Sequence, residues 1–264
     1  MGTVLATTLG AVSEWTGGPA GLDVWRIAAI VASAVFAALV ALLVVRAALR
    51  QRRYRVVDTF GDEDRAAVRA AVIDAERRTV GEILPVVVER SDPHPAAEWL
   101  AALTFVIVGS AALAAVVPWT RPALVVLSQL VLGGAGFGLA RALPGFKRAF
   151  ISEDRATAVA HEQALQEFYA HGLHRTEGAT GVLLFVSLLE HRAIVLADEG
   201  IDSRVHAEFW ADTDDVVLDG IRRGSVRDGL VAGVRRAGEL LAEHFPWQRS
   251  DRNEIPDRVI ARRE

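Results

Sequence analysis

Asp198, Glu199 and Asp202 surround Gly200 directly after an apolar run, and a turn at this place could gather carboxylate oxygens around a hard cation such as Ca2+ or Mg2+. Asp228, in the turn before the last apolar-periodic segment, is a candidate additional ligand. The loop lacks the alternating acidic spacing and distal Glu of a dedicated calcium loop, so Asp198 and Asp202 read more readily as residues that shape the turn and cap the next helix. Asp212, Asp214 and Asp215 also cluster, but on an expected helix surface such a group reads as a solvated face. His161 precedes Glu162 without the second His of a zinc-protease helix. His171 and His174 straddle a helix end, where the dipole accounts for them. Glu190 and His191 fall in an expected turn with no nucleophile motif beside them, and Ser187 reads as a strand residue. With no Cys in the chain, disulfides, thiolate ligands and a cysteine nucleophile are excluded.

The elements that must position these groups follow from hydrophobic period. Apolar residues at Ala67, Val68, Ala71, Val72 and Ala75 predict a helix over Asp62 to Arg78, broken by Thr79 and Gly81. EILPVVVE, Glu82 to Glu89, predicts a buried strand that Pro85 places at an edge or bulge. Ala156, Val159, Ala160, Ala164, Leu165 and Phe168 predict a helix over Glu153 to His171. Gly181 to Leu189 and Arg192 to Ala197 predict an antiparallel hairpin turning at Glu190 and His191. Helices over Ser203 to Arg223 and Val226 to His244 are separated by Gly224 and Ser225, and Pro246 stops the last. The tail, 247–264, is polar and expected to be irregular.

The chain also carries three uncharged apolar runs, consistent with its 52% hydrophobic content and mean hydropathy of +0.27. Ile27 to Val45, Leu100 to Trp119 and Pro122 to Ala140 each approach the length that crosses a bilayer core. The last two, separated by Thr120 and Arg121, predict a transmembrane hairpin. Arg46, Arg50, Arg52, Arg53 and Arg55 follow the first run, whereas Glu14 and Asp23 precede it with Arg26 at its edge. Positive flanks stay cytoplasmic, so residues 1–23 are expected outside and both large polar segments in the cytoplasm. A cleaved signal peptide is the competing reading of the first run, but no positive n-region precedes it. Trp25, Trp99 and Trp119 sit at span ends as headgroup anchors. Gly134 and Gly138 have the small-xxx-small spacing that lets membrane helices approach, within the hairpin or across an oligomer interface. A net charge of −4 gives no basic excess for a nucleic-acid partner. The spans hold no internal ionisable residue to mark a transport pathway.

Residues 56–98 offer one helix and one strand, too little apolar surface to fold alone, so that strand is expected to complete a sheet supplied by residues 149–246. The expectation is a small α/β sandwich interrupted by a transmembrane hairpin (99–143), preceded by a transmembrane helix (24–46).

AERRTVGEILPVVVE, GVLLFVSLLEHRAIVLADEGI and RRGSVRDGLVAGVRRAGELLAEHFP resemble the TPM domain family, across roughly Asp62 to Glu89 and Ala149 to Pro246. Bacterial membrane relatives of that family resemble this chain further in a hairpin after the first strand and a closing Asn-Glu-x-Pro-Asp element, here Asn253, Glu254, Ile255, Pro256 and Asp257. The resemblance implies an α/β sandwich, with acid phosphatase activity and divalent cation binding in some soluble members and roles in membrane protein complexes for others. By the same resemblance Asp198 and Gly200 match a strand-to-loop Asp-x-Gly element, and Thr79, Gly81 and Glu82 a Thr-x-Gly-Glu element. Glu190 and His191 match a Glu-His pair, and Gly224 and Gly229 belong to the third segment. The expected function is an interaction or assembly module at the bacterial inner membrane, partnered by the bilayer and other membrane proteins or by itself through the third span. The alternative is a divalent-cation-dependent phosphatase, and enzymatic activity rests on the resemblance alone.

Overall fold

The computed structural model describes residues 24–50, 54–114, 122–205, 207–249 and 252–262. The expected external terminus 1–23, Arg52, Arg53, Trp119 and the Thr120–Arg121 turn lie outside them. Backbone proximity divides the chain into two units, Met1–Val45 with Glu98–Arg141, and Arg46–Ala97 with Ala142–Glu264.

The first unit is built on apolar helices: α1 (Val24–Arg50), α3 (Pro95–Ala114) and α4 (Pro122–Ala142), between which α2 (Asp62–Glu76) intervenes in sequence. By length and composition α3 and α4 can each cross a membrane. They approach closely where side chains are absent: a Cβ on Gly136 would lie 2.7 Å from the Ala101 carbonyl oxygen, and one on Gly109 would lie 2.8 Å from Leu132. Gly134 and Gly138 instead face open space, so the small-residue pair does not serve the hairpin itself. Trp99 packs against Phe137 with ring centres 5.1 Å apart and planes tilted by 58°.

The second unit carries a four-stranded mixed sheet in the order β3-β2-β1-β4, from β1 (Glu82–Val88), β2 (Gly181–Ser187), β3 (Arg192–Ala197) and β4 (Ile260–Arg262). β1 runs parallel to β2, with Glu82 opposite Gly181 and Val88 opposite Ser187, although α3, α4 and α5 (Glu153–Ala170) intervene in sequence. β3 returns antiparallel to β2. A single helical turn, α6 (Glu199–Asp202), follows the end of β3, and α7 (Ala207–Arg222) and α8 (Val226–His244) form a long helical pair.

Both sheet faces are covered, which is why β1 and β2 read as continuous apolar runs. Ile83, Val87, Val182, Leu184 and Val186 pack with Val68, Val72, Val217, Leu230, Val234 and Leu241 from α2, α7 and α8. Leu84, Val86, Val88, Leu183 and Phe185 pack with Ala160, Ala164 and Phe168 of α5. Alternate residues thus point to opposite faces, and the unit is a helix–sheet–helix sandwich.

Two local expectations change. The tail is not irregular throughout: Ile260, Ala261 and Arg262 pair with Val86, Val87 and Val88, and Arg262 forms an ion pair with Glu167 of α5. β1 is therefore central, not an edge strand. Pro85 fits because β4 begins opposite Val86. The amides of Glu82 and Ile83 alternate sides, towards the Thr180 carbonyl and the Glu76 carboxyl respectively. The proline nitrogen then faces the flank that β4 does not reach.

Candidate functional site

The residues of the Thr-x-Gly-Glu segment gather at the end of the sheet where β1 starts. The Thr79 hydroxyl donates to the Phe245 carbonyl at 2.6 Å and accepts from the Gly81 amide at 3.1 Å, fastening the end of α8 to the strand. The Val80 amide donates to the same Phe245 carbonyl at 3.1 Å. Gly81 leaves room for Leu241, whose nearest carbon would lie 3.0 Å from an added Cβ. Glu82 is buried, and its carboxylate accepts from the amides of Glu254 at 3.0 Å and Ile255 at 3.3 Å. The carboxylate thus holds the tail across the sheet edge.

A cleft of about 220 Å3 lies on this side, lined by Glu76, Thr79, Glu82, Trp247, Asn253 and Asp257 among others. Glu76 Oε1 accepts from the Ile83 amide at 2.9 Å. Burial, augmented by Glu82 and by a hydrogen bond shared with Asp257, pushes the Glu76 carboxyl up to about 9. At neutral pH the fold therefore favours the protonated form of Glu76, as expected for a carboxyl withdrawn from water beside other acids. No motif marks Glu76: it sits in the periodic helix before Thr79, and only its place one turn before a buried strand carried a signal.

On the other side of the Thr79–Gly81 segment a second cleft of about 410 Å3 has Val80 and Phe245 along it, with Thr180, Gly200, Ser203 and Arg204 at its wall. The loop behind it is tightly bent, with Gly178 at φ +80° and Ala179 at φ +53°. A Cβ on Gly200 would fall 2.2 Å from the Gly178 carbonyl oxygen, which is why no other residue fits between that loop and α6.

Asp198 caps α6: its Oδ1 accepts from the Glu199 amide at 2.9 Å, and its carbonyl accepts from Ile201 and Asp202. Its Oδ2 is shielded from solvent and has no hydrogen-bond partner. Burial and the Asp198 charge raise the Asp202 carboxyl above its usual range. Glu199 is exposed. Asp228 lies elsewhere, at the first turn of α8 beside Ser225 and Arg227, about 26 Å of helix from the end that meets Val80. The residues that could hold a cation are thus two carboxylates with one partnerless oxygen, short of the six to eight oxygens calcium takes but compatible with a hydrated magnesium. Among the described residues no group of three or more His, Asp or Glu is arranged to hold a metal.

Glu190, fully buried, is the hub of a different cluster at the opposite end of β1 and β2. It accepts from the Ser91 amide at 3.1 Å, from the Ser187 hydroxyl, and shares a 2.6 Å contact with His94 Nε2. Burial opposes its charge, but His94, Ser187 and Ser91 outweigh that and hold the carboxyl below its usual range. Asp92 binds the His94 amide at 2.5 Å and Arg155 at 3.0 Å. Here the acid stands between Ser187 and His94, so the serine gains no base, and the arrangement secures the strand ends rather than activating a nucleophile. His191, at φ +52°, packs edge-on against Tyr54 at 5.6 Å. Burial, with Arg148 and Arg192 nearby, lowers its affinity for a proton.

The remaining motif residues support packing. Gly224 adopts φ +96° in the turn between α7 and α8. A Cβ on Gly229 would meet the Val217 carbonyl oxygen at 2.5 Å, so these helices touch through backbone. Asp214 departs from the solvated-face reading: its Oδ1 accepts from the Val195 amide at 2.8 Å on edge strand β3, and burial pushes its carboxyl up to about 7.

No family model and no curated protein matches the sequence. Among solved structures the chain is similar to the BA42 protein of the psychrophilic bacterium Bizionia argentinensis, known from an NMR structure, with 20% identity and a TM-score of 0.49 over 78% of this chain and 97% of that one.

Proposed function

We propose that this protein is a membrane-anchored, TPM-like α/β domain acting as an interaction or assembly module at the bacterial inner membrane. The observation that carries the reading is the pairing of β1 with β2 in register across an insertion holding two helices long enough to span a bilayer. The apolar insertion thus leaves the sheet after β1 and leads back to it at β2. α1 supplies the third span, the amino terminus lies outside, and the sandwich and carboxyl terminus lie in the cytoplasm, following the Arg-rich segment after residue 45. Glu82, Thr79 and Glu190 are engaged in internal hydrogen bonds, which suits a rigid recognition body. The open Gly134 and Gly138 face supports association with another membrane helix. The test is copurification of membrane partners from detergent extracts, with a reporter fused after Glu264 that is active only outside the cytoplasm. A strong reporter signal refutes the orientation, and a chain that recovers no partner refutes the module.

The partnerless Asp198 Oδ2 beside Asp202 favours a second reading, a phosphatase dependent on a divalent cation. Calorimetric titration of Mg2+ and Ca2+ into wild type and an Asp198→Asn, Asp202→Asn variant tests it. Saturable binding lost in the variant, with turnover of an aryl phosphate, supports this reading; no binding by the folded wild type removes it.

A further inference from the structure

We propose that the cleft of about 410 Å3 beside Phe245 binds the carboxyl-terminal residue of a partner polypeptide whose last side chain is apolar. This deepens the interaction-module reading and rests on it. The cleft has the volume of a small-ligand pocket, enough for a chain end but not for a folded surface. Its apolar part comes from Val80 and Phe245, which can take up a terminal aliphatic side chain. Arg204 is exposed, and its guanidinium sits 5.0 Å from the centre of the Phe245 ring. Among the described residues Arg204 forms no ion pair. A guanidinium resting on an aromatic ring has its fork of N–H donors preset, and a carboxylate is the partner that fits that fork.

Gln248 adds an amide that both donates and accepts, and the Thr180 and Ser203 hydroxyls add acceptors. Thr180 Oγ1 donates to the Val80 and Glu177 carbonyls at 3.2 and 3.3 Å, and Ser203 Oγ donates to the Gly200 carbonyl at 3.1 Å. With their protons directed inward, both hydroxyls present lone pairs to a ligand, and the Glu177 carboxylate adds another acceptor at the rim. One cationic fork, several acceptors and an apolar floor match the end of a peptide: a carboxylate, an amide N–H and a side chain.

The experiment uses the detergent-purified full chain and three fluorescent hexapeptides: one ending in Leu-Leu with a free carboxylate, its carboxamide twin, and one ending in Gly-Gly with a free carboxylate. Anisotropy should show the free Leu-Leu acid binding at least about tenfold more tightly than the amide, the scale expected for losing a charge-assisted hydrogen-bond pair. It should also bind more tightly than the Gly-Gly acid. Arg204→Gln should abolish the acid–amide difference, and Arg204→Lys should restore only part of it because the fork is lost. Thermal unfolding of both variants should match wild type, since an exposed, unpaired arginine leaves nothing buried behind. Equal binding of acid and amide, an unchanged preference in Arg204→Gln, or no saturable binding by the folded chain overturns the proposal. Copurification with Arg204→Gln separates the two ideas: peptides failing while membrane partners are still recovered removes the cleft as the site and leaves the module reading standing.

Discussion

Replacing Glu76 by Gln should make the sandwich more stable at pH 8 and nearly unchanged at pH 4. Glu76 bonds the Ile83 amide at 2.9 Å beside Glu82 and Asp257, and its carboxyl is pushed from 4.5 up to about 9, chiefly by burial. Because the folded value lies above the unfolded one, the native state binds a proton that the unfolded chain has released between these limits. Stability therefore falls as pH rises, by about 1.4 kcal/mol per unit, from roughly pH 4.5 until the folded group ionises near pH 9. Over the 4.5-unit interval this amounts to about 6 kcal/mol, and at pH 8 to about 5 kcal/mol. Gln keeps the shape, accepts from Ile83 and donates to Asp257 without needing a proton. Chemical denaturation of the purified chain at intervals from pH 4 to pH 9 should show a sloping wild type and a flatter variant. In thermal melts the pH 8 difference corresponds to about 10–20 °C. Parallel pH profiles for the two proteins, or a variant less stable at pH 8, would show that Glu76 is ionised in the fold and refute the shared-proton arrangement.

Thr79→Val removes the hydroxyl that joins Phe245 to Gly81 and leaves a buried carbonyl and amide without it, so denaturation should show a loss of about 1–3 kcal/mol. Gly229→Ala drives a methyl to 2.5 Å from the Val217 carbonyl, and separating α7 from α8 should cost about 1–3 kcal/mol or more in the same assay. Glu190→Gln replaces a buried carboxylate that serves the Ser91 amide, the Ser187 hydroxyl and the His94 ring by a weaker acceptor with two donors of its own, with an expected loss of about 1–3 kcal/mol. Its carboxyl lies below the usual range when folded, so the contribution is present above about pH 4.5 and lost as pH falls through the folded value. Wild-type melts should show this acid loss and Glu190→Gln should not.

Strands and helices with a single strong period were legible from sequence: β1, β2, β3, α2, α5 and α8 lie within a few residues of where hydrophobic spacing puts them. β4 was not, because three residues in a polar tail carry no period, and it exists only through its pairing with Val86–Val88. Thr79, Gly81, Glu82, Asp198 and Gly200 were singled out by motif resemblance. What spacing could not supply was partnership: that Glu82 holds the Glu254 amide, or that Glu76 meets Asp257, depends on segments far apart in the chain. Asp214 illustrates the same gap. A run of acids on a helix looks like a solvated face until tertiary packing turns one of them onto a strand edge.

The position of β1 at the middle of the sheet has a consequence for how the protein is made. Its neighbour β2 leaves the ribosome only after roughly 90 further residues, about 5–20 s of synthesis. During that interval the run from Ile83 to Val88 is an uncharged apolar segment with two bare edges, the kind of segment that seeks other chains. Pro85 interrupts one of those edges, and Glu82 and Glu89 flank the run with charge, as gatekeeper residues do. In the membrane-anchored arrangement proposed above, α3 and α4 reach the bilayer in the meantime, and the waiting strand is tethered at a surface instead of diffusing among its copies. The hairpin then serves as a timer as well as an anchor, and shortening it would bring β2 out sooner while loosening the hold on its partner.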